Sequence, residues 1–471
     1  MKKIFIVFTL VLISVGLMSC KKASGVVLDW DVISDDLEID TTEPVTIVFW
    51  HTMGKTVDPA LGQQALLEVY IEDFKELYPH ITVLHESKGG YNEIRDAINT
   101  ALPAGNEPHL AYSYSDHVAG YINSGRVLPL NNLIDNKNPE IAFSIDDKND
   151  YVEGYWNEGN VYDNAGTMLN LPFIKSTEVM FYNKTFFNKY NLSVPQTWEQ
   201  VKTVSQQIRT IIDTHEDFSK LTASEKQAII PIGYDSESNL FITASEQLNI
   251  PYTAIGENNE GQILFNNDEA KEMVSFFKEM YDARLLTTKE MLGGGYTSDK
   301  FVEQELFMSI GSTGGTNYNI PDNQAFEVGV APLPQFDLEN AKVIQQGPNI
   351  HMFLKDNVQE MIAAWLFLKF ITNSENSARW AIATGYSPVR KSSFAEVNSY
   401  YENLTNISAR QTVFKNVALV AQQQIPSYFT SPAFGKSSKA RDQVGALIVN
   451  VFGNTYSIDE AFSKAYEEVA F

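Results

Sequence analysis

Two hydrophobic periods alternate along this chain. Runs such as 45–50 are short and rich in β-branched and aromatic residues, as buried strands are. Stretches such as 65–77 repeat apolar residues every three or four positions, which is typical of helices that pack one face on a core. Because the two patterns follow one another repeatedly, we predict an α/β fold with a largely parallel sheet covered by helices. The pattern predicts strands at 45–50, 81–84, 110–114, 178–182, 306–310, 328–332 and 350–354, and helices at 65–77, 91–102, 184–190, 268–285, 359–370, 376–384, 443–451 and 458–469.

The chain is too long for one hydrophobic core. It has 471 residues, and single cores stop growing beyond about 250–300 residues, so at least two lobes are expected. No segment rich in glycine, proline and serine separates two halves. We therefore expect the lobes to be joined by several short crossovers and not by one long linker.

The first residues have the layout of a secretory signal. A basic start at 1–3 precedes an apolar run at 4–15, which is too short to span a membrane as a mature helix. The segment 17–20 then resembles the lipobox of bacterial lipoproteins, in which the cysteine is acylated. Cys20 is the only cysteine in the chain, so an internal disulfide is excluded. The sequence thus predicts a lipoprotein signal peptide at 1–19 and a lipid anchor on Cys20.

An acidic segment follows the predicted anchor. Residues 20–43 carry many carboxylates and no clear strand or helix pattern, so we expect a flexible tether. The formal charge of the whole chain is −24. Nucleic acids and anionic membrane surfaces are bound through basic patches, so we expect no nucleic-acid partner and no membrane contact beyond the lipid anchor.

Common enzyme signatures are missing from the sequence. It contains no HExxH, Walker or GxSxG motif, and its histidines are scattered. We therefore expect no enzymatic activity, no metal and no cofactor. One alternative stays open, which is a surface-anchored enzyme that acts on glycans through a pair of carboxylates in a cleft. Asp116 and Glu178 are the candidates for such a pair.

The content and position of aromatic residues in the sequence favour a carbohydrate ligand. They make up 12% of the chain, and several lie in polar, turn-like segments, among them Tyr91, Trp156 and Tyr386. Aromatic faces pack on the C–H faces of sugar rings, and tyrosine and tryptophan keep a polar group for hydroxyls. The same placement also fits ordinary packing between elements.

Several sequence blocks resemble one family, the extracellular solute-binding proteins of carbohydrate ABC importers, which include maltose-binding and glycerol-3-phosphate-binding members. The blocks are VTIVFWHTM at 45–53, KGGYNE at 88–93, LPFIKSTEVMFYNK at 171–184 with PQTW at 195–198, and AAWLFLKFITNSENSARWAIATGYSPVR at 363–390. The resemblance implies a two-lobed periplasmic-binding-protein fold with hinge crossovers and a ligand cleft between the lobes.

The same resemblance implies the domain limits and the partners. Lobe one would comprise 44–172 plus 346–388, and lobe two 173–345 plus 389–471. The protein would act as a monomer at the outer face of the cell membrane, on the extracellular or periplasmic side. It would bind a carbohydrate-type small molecule and pass it to the permease subunits of an ABC transporter.

The glycerol-3-phosphate-binding members are the most similar by this comparison, and their pattern implies the ligand residues. Two departures matter, because Ser115 stands where those relatives have a glutamate and Phe434 where they have an arginine. Arginine is the natural bidentate clamp for phosphate. We therefore expect a neutral sugar or oligosaccharide, with glycerol-3-phosphate or a glycerophosphodiester as the alternative. The implied ligand-binding residues are Tyr91, Ser115, Asp116, Ser176, Phe241, Ser312, Gly347, Tyr386 and Phe434.

Overall fold

The computed structural model describes residues 28–54 and 62–470. Its strands are, in chain order, β1 (Val45–His51), β2 (Ile81–Ser87), β3 (Leu110–Ser113), β4 (Asn170–Pro172), β5 (Ser176–Asn183), β6 (Ile230–Tyr234), β7 (Thr253–Ile255), β8 (Gly261–Ile263), β9 (Leu286–Thr288), β10 (Leu306–Ser312), β11 (Val328–Pro332), β12 (Val343–Gln346), β13 (Asn349–Met352) and β14 (Tyr428–Phe429). Most predicted strands are present within a few residues of their predicted limits.

Helices connect and cover these strands. They are α1 (Gln63–Leu77), α2 (Tyr91–Ala101), α3 (Ser115–Tyr121), α4 (Asn131–Ile134), α5 (Ile145–Asp150), α6 (Glu153–Asn157), α7 (Lys184–Lys189), α8 (Trp198–Thr214), α9 (Ala223–Ala228), α10 (Glu237–Gln247), α11 (Asp268–Asp282), α12 (Thr297–Val302), α13 (Val358–Ile371), α14 (Ser374–Thr384), α15 (Lys391–Glu402), α16 (Ala409–Gln424), α17 (Ser437–Phe452) and α18 (Ile458–Ala470). A short 3₁₀ turn at Glu158–Asn160 follows α6, and another at Thr313–Asn319 follows β10. No helix of the described segments has the length and apolar character needed to cross a bilayer.

Two sheets define two lobes. The sheet of lobe one has the order β2-β1-β3-β13-β4, and that of lobe two has the order β14-β12-β5-β10-β6-β9 with β11 also paired to β5. β1 is parallel to β2 and β3, but β13 runs antiparallel to β3 and β4. β5 is likewise antiparallel to β10, β11 and β12. Both sheets are therefore mixed, because the strands that arrive from the other lobe run against the local direction.

The chain crosses between the sheets at short segments. It leaves sheet one after β4 at Pro172 and joins sheet two in β5 at Ser176, and it returns between Gln346 of β12 and Asn349 of β13. Helix α14 packs on lobe one and α16 on lobe two, with α15 packed between them. Each lobe has its own hydrophobic core.

Part of the predicted flexible tether is packed on lobe one. Ile33 and Leu37 are buried, and Asn132 donates hydrogen bonds to the carbonyl oxygens of Trp30 and Ile33. The indole of Trp30 donates to Thr167 Oγ1 at 2.9 Å. The acidic composition of residues 28–43 concealed these buried apolar positions. The predicted signal peptide and Cys20 lie outside the described residues.

Candidate functional site

A cavity of about 440 Å³ lies between the two lobes. Lobe one lines it with the start of α2, the turn from β3 into α3, and Glu158. Lobe two lines it with the turn from β6 into α10, the segment 430–432 and the start of α17. In open α/β sheets, the ends of neighbouring strands are where ligands bind, and the volume falls within the range of small-molecule sites. The cavity is therefore the candidate binding site.

Two tyrosine rings form the aromatic part of the lobe-one wall. Tyr91 begins α2 and Tyr114 precedes α3, and their ring centres lie 4.8 Å apart at an angle of 57°. Burial raises the pKa of both phenols well above the ordinary range. Both hydroxyls therefore stay neutral and can donate hydrogen bonds to a ligand, while the rings offer a face for C–H groups.

Polar groups from the start of α3 continue this wall. Ser115 donates to Glu158 Oε1 at 3.1 Å, and Asp116 accepts a hydrogen bond from the backbone N–H of His117 at 2.9 Å. That carboxylate lies in the first turn of α3, where the positive end of the helix dipole favours a negative charge. Asp116 retains acceptor capacity toward the cavity, because an ionised carboxylate accepts about four hydrogen bonds.

An arginine of lobe two lines the same cavity as Asp116 and is connected through an amide to a buried carboxylate. Arg441 of α17 donates to Asn239 Oδ1, and the amide nitrogen of Asn239 donates to Glu178 Oε1 at 2.6 Å. Glu178 is 1% exposed and also accepts hydrogen bonds from Tyr234 and Gln346. Because Glu178 takes the amide N–H, the carbonyl oxygen of Asn239 points to the guanidinium. This chain of contacts orients Arg441.

The turn after β6 adds a second polar group to the lobe-two wall. Asp235 accepts hydrogen bonds from the backbone and the side chain of Thr297, and burial raises the pKa of its carboxyl to about 6. Ser236 caps α10 by accepting from the backbone N–H of Asn239. Lys289 also lines the cavity, with its ammonium 4.2 Å from the ring centre of Tyr296.

A buried ion pair connects the cavity to both crossovers. Lys175, on the first crossover, donates to Glu158 Oε2 at 2.6 Å and to the carbonyl oxygen of Gly347, on the second, at 3.0 Å. Gln345 and Asn349 also donate to Glu158, at 2.8 and 2.9 Å. Lys175 is fully buried, and its contacts fix the two crossovers to the cavity wall.

Comparison with known proteins identifies the family. Residues 69–406 match the family model described as bacterial extracellular solute-binding protein. The chain belongs to this family. The curated relatives of this solute-binding protein include the sn-glycerol-3-phosphate-binding periplasmic protein UgpB of Shigella flexneri serotype 5b, which is 25% identical over 74% of this chain and 75% of the relative. UgpB of Escherichia coli O1:K1 is also 25% identical, over 79% of this chain and 81% of the relative.

Solved structures agree on the fold. UgpB from Mycobacterium tuberculosis in complex with glycerophosphocholine has a TM-score of 0.67 at 18% identity and covers 91% of this chain and 98% of its own. Maltose-bound MalE3 from T. maritima has a TM-score of 0.67 at 16% identity, with 91% and 99% covered. The GacH receptor of Streptomyces glaucescens has a TM-score of 0.66 at 17% identity, with the same coverage. The predicted two-lobed fold and the predicted family are confirmed.

Three of the predicted ligand residues line the cavity of this solute-binding protein: Tyr91, Ser115 and Asp116. Phe241 does not, because it is 1% exposed and packs on Tyr252 and Phe462 in the core of lobe two. Phe241 lies within α10 and is buried in the core of lobe two, so the structure does not bring this predicted ligand residue to the cavity.

Phe434 is also placed away from the cavity. Its ring packs against Gly261, where an added Cβ would lie 2.0 Å from the ring, so it supports the β7–β8 hairpin. Arg441, further along the chain, provides the guanidinium that the sequence comparison expected at Phe434. Arg441 lies on the second turn of α17, which begins at Ser437.

The remaining predicted residues lie around the crossovers and do not line this cavity. Ser176 is buried where β5 pairs with β12, and Ser312 caps the following 3₁₀ turn by accepting from the N–H of Gly314. Tyr386 packs against Gly314, where an added Cβ would lie 2.6 Å from its ring. Gly347 has φ +93°, and an added Cβ would lie 2.0 Å from the carbonyl oxygen of the first crossover, so its role here is in the hinge.

Proposed function

We propose that this solute-binding protein is the substrate-binding lipoprotein of an ABC importer and that it captures a neutral sugar or oligosaccharide between its lobes. The observation that carries the proposal is the composition of the cavity wall. The wall combines a pair of tyrosine rings with carboxylates, amides, hydroxyls and one oriented guanidinium. Sugar hydroxyls both donate and accept hydrogen bonds, so such a mixed wall satisfies them.

The charges of the wall favour a neutral ligand over a phosphate. Asp116 and Asp442 line the same cavity as Arg441, and burial together with the nearby Asp116 raises the pKa of the Asp442 carboxyl. A dianionic phosphate held by Arg441 would be close to these two carboxylates, and like charges in a partly buried site repel strongly. A neutral hydroxylated ring bridges the same groups without that cost.

Glycerol-3-phosphate or a glycerophosphodiester is the second candidate. Arg441 and Lys289 supply two cations to the cavity, and curated relatives are named for sn-glycerol-3-phosphate. Arg441 removes the objection that an arginine is lacking in the cleft. A phosphate ligand would bind with strong salt dependence, whereas a neutral sugar would not.

We further propose that the protein binds its ligand without turnover. Of the two carboxylates considered for glycan hydrolysis, Asp116 lines the cavity, whereas Glu178 lies behind the wall and is engaged by three side-chain donors. The proposal also includes acylation of Cys20, a monomeric protein at the outer face of the membrane, and transfer of the solute to permease subunits. The family match and the secretory layout of the sequence support these points.

A thermal-shift panel tests the proposal. Mature protein is heated with sugars, polyols, glycerol-3-phosphate and glycerophosphocholine. A ligand at 100 times its Kd should stabilise the protein by about 2.7 kcal/mol. Asp116→Asn should weaken the response, whereas Asp268→Asn, which changes a fully exposed carboxylate on the α11 surface, should not. The absence of a shift with every panel member would overturn the proposal, and a response to phosphate esters alone would favour the second candidate.

A further inference from the structure

Residues 28–43, called the strap below, lie along lobe one and are held there by side chains of that lobe. Asn132 of α4 donates to the carbonyl oxygens of Trp30 and Ile33, at 3.0 and 2.9 Å. The indole of Trp30 donates in turn to Thr167 Oγ1 at 2.9 Å. The start of the strap is thus fixed to two separate segments of lobe one.

Further amides hold the rest of the strap by its backbone. Asn136 accepts a hydrogen bond from the N–H of Leu37 at 3.4 Å, and Asn138 donates to the carbonyl oxygen of the same residue at 3.0 Å. Gln359 of α13 accepts from the N–H of Asp40 at 3.0 Å. These contacts give lobe one partners for strap backbone groups that would otherwise bond to water, so they fix the path of the strap.

The side chains of the strap divide into a set that packs on the lobe and an exposed set. Ile33 and Leu37 are buried, and Leu28 and Ile39 pack on the core of lobe one. The carboxylates are all exposed: Asp29, Asp31, Asp35, Asp36, Glu38, Asp40 and Glu43. This pattern favours binding to the protein over binding to lipid, because apolar groups gain by burial and carboxylates are repelled by anionic headgroups.

Docking of the strap shortens the connection to the predicted lipid anchor. Ten positions separate Cys20 from Trp30, the first strap residue bonded to lobe one, and they span at most about 36 Å. If the strap were free, the connection would run to Val45 at the start of β1, and these 25 positions would span up to about 90 Å. The docked strap therefore limits how far lobe one can lie from the bilayer.

The anchored end of the strap lies beside the boundary between the lobes. Thr167, the partner of Trp30, donates to Asp163 Oδ2 at 2.6 Å. In the same turn, the backbone N–H of Asn164 donates to Asn259 Oδ1 of lobe two at 3.1 Å. One turn of lobe one thus both holds the strap and contacts the β7–β8 hairpin.

We propose that the strap fixes the lipid anchor to lobe one, so that the turn around Thr167 is held within about 40 Å of the bilayer while lobe two moves relative to it. The hydrogen bonds described above all join the strap to lobe one. This inference rests on the proposed acylation of Cys20, and it adds which lobe the anchor holds and at which edge.

Energy transfer from the protein to labelled lipid tests the inference. Full-length acylated protein is placed in phosphatidylcholine vesicles that carry an acceptor-labelled lipid. The donor is attached at Ala165→Cys, an exposed position, because acylated Cys20 leaves no competing thiol. Ile33→Asp combined with Leu37→Asp should release the strap, because burial of unpaired carboxylates is strongly unfavourable. The greatest span of the connection then rises about 2.5-fold, so the transfer efficiency should fall about 2-fold or more.

Two matched variants separate the possible causes of such a fall. Val32→Asp combined with Thr41→Asp adds the same two charges at exposed positions of the strap, so its transfer efficiency should equal that of the unmodified protein. An insert of about 15 Gly and Ser residues after Ala23 lengthens the connection by as much as release of the strap does. Because this insert changes no residue of the fold, it should lower the transfer efficiency even if the release variant fails to fold.

Each outcome decides the inference. It would be overturned if the release variant or the insertion variant transferred energy as efficiently as the unmodified protein does. It would also be overturned if the two exposed charges lowered the transfer as much as the two buried ones. If the unmodified protein does not attach to vesicles, the proposed acylation fails and this inference fails with it. The proposed capture of a solute would then still stand, because the thermal-shift panel tests it separately.

Discussion

Removal of the buried lysine at the hinge should strongly destabilise the protein. Lys175 is fully buried and its ammonium lies 2.6 Å from Glu158 Oε2. Lys175→Met keeps the volume of the side chain but leaves the Glu158 carboxylate with neutral donors alone. It also removes the hydrogen bond to the carbonyl oxygen of Gly347, which connects the second crossover to the first.

The expected magnitude follows from the burial of both partners. Loss of one partner of a buried ion pair costs about 3–5 kcal/mol, because the remaining charge is desolvated without compensation. Ser115, Gln345 and Asn349 still donate to Glu158, so we expect the lower part of that range. Lys175→Met combined with Glu158→Gln should recover part of the loss, because no uncompensated charge remains.

Urea denaturation of the ligand-free protein provides the measurement. The control is Lys184→Met, which breaks the surface pair between Lys184 and Glu327, whose side chains are 47% and 72% exposed. Exposed pairs contribute about 0–1 kcal/mol. If Lys175→Met lowers the free energy of unfolding by no more than Lys184→Met does, the reasoning is refuted. It is also refuted if the double variant is no more stable than the single one.

Three further outcomes are expected. Burial raises the pKa of Glu178 to about 7 from its ordinary 4.5, so the free energy of unfolding should fall as the pH rises from 4.5 to 7. Glu178→Gln should remove this pH-dependent fall, which amounts to up to about 3 kcal/mol, and urea denaturation at several pH values measures it. If the variant shows the same pH profile as the unmodified protein, this prediction is contradicted. Asn259 of lobe two accepts a hydrogen bond from the backbone of Asn164 in lobe one at 3.1 Å, so Asn259→Ala removes a contact between the lobes and should weaken solute affinity about 2–5-fold in calorimetry. Gly347→Ala should lower the free energy of unfolding by about 2 kcal/mol or more, because φ is +93° and the new Cβ would lie 2.0 Å from a carbonyl oxygen. If the variant denatures at nearly the same temperature as the unmodified protein, the hinge role of this glycine is contradicted.

The two-lobed fold was predictable because its signals are local. Strand β1 and helix α13 are dense apolar runs bounded by polar residues, and they were predicted at 45–50 and 359–370. Helix α8 likewise begins at a local capping residue, because the Thr197 hydroxyl accepts a hydrogen bond from the backbone N–H of Gln200. The mixed strand directions were not predictable, because they depend on which lobe each strand joins.

The site was only partly predictable from sequence. Tyr91 lies in the block at 88–93 that resembles the family, and Asp116 lies shortly after strand β3. Both positions predict a place at the cavity, and both residues line it. Asn239 and Arg441 were missed, because the chain brings them together across about two hundred positions. The spacing of two residues that far apart in the sequence does not indicate whether they are in contact. Phe241 was implied by the family pattern, and a position in such a pattern does not show whether the ring faces the cavity or the core.

The position of a bound solute tests the central claim most directly. A crystal structure of the mature protein with the sugar that gives the largest thermal shift should show density between Tyr91 and Asp116 of lobe one and Arg441 of lobe two. The solute should contact both lobes, since only then does binding favour the closed form. Density on one lobe alone, or outside the interlobe cavity, would contradict the account.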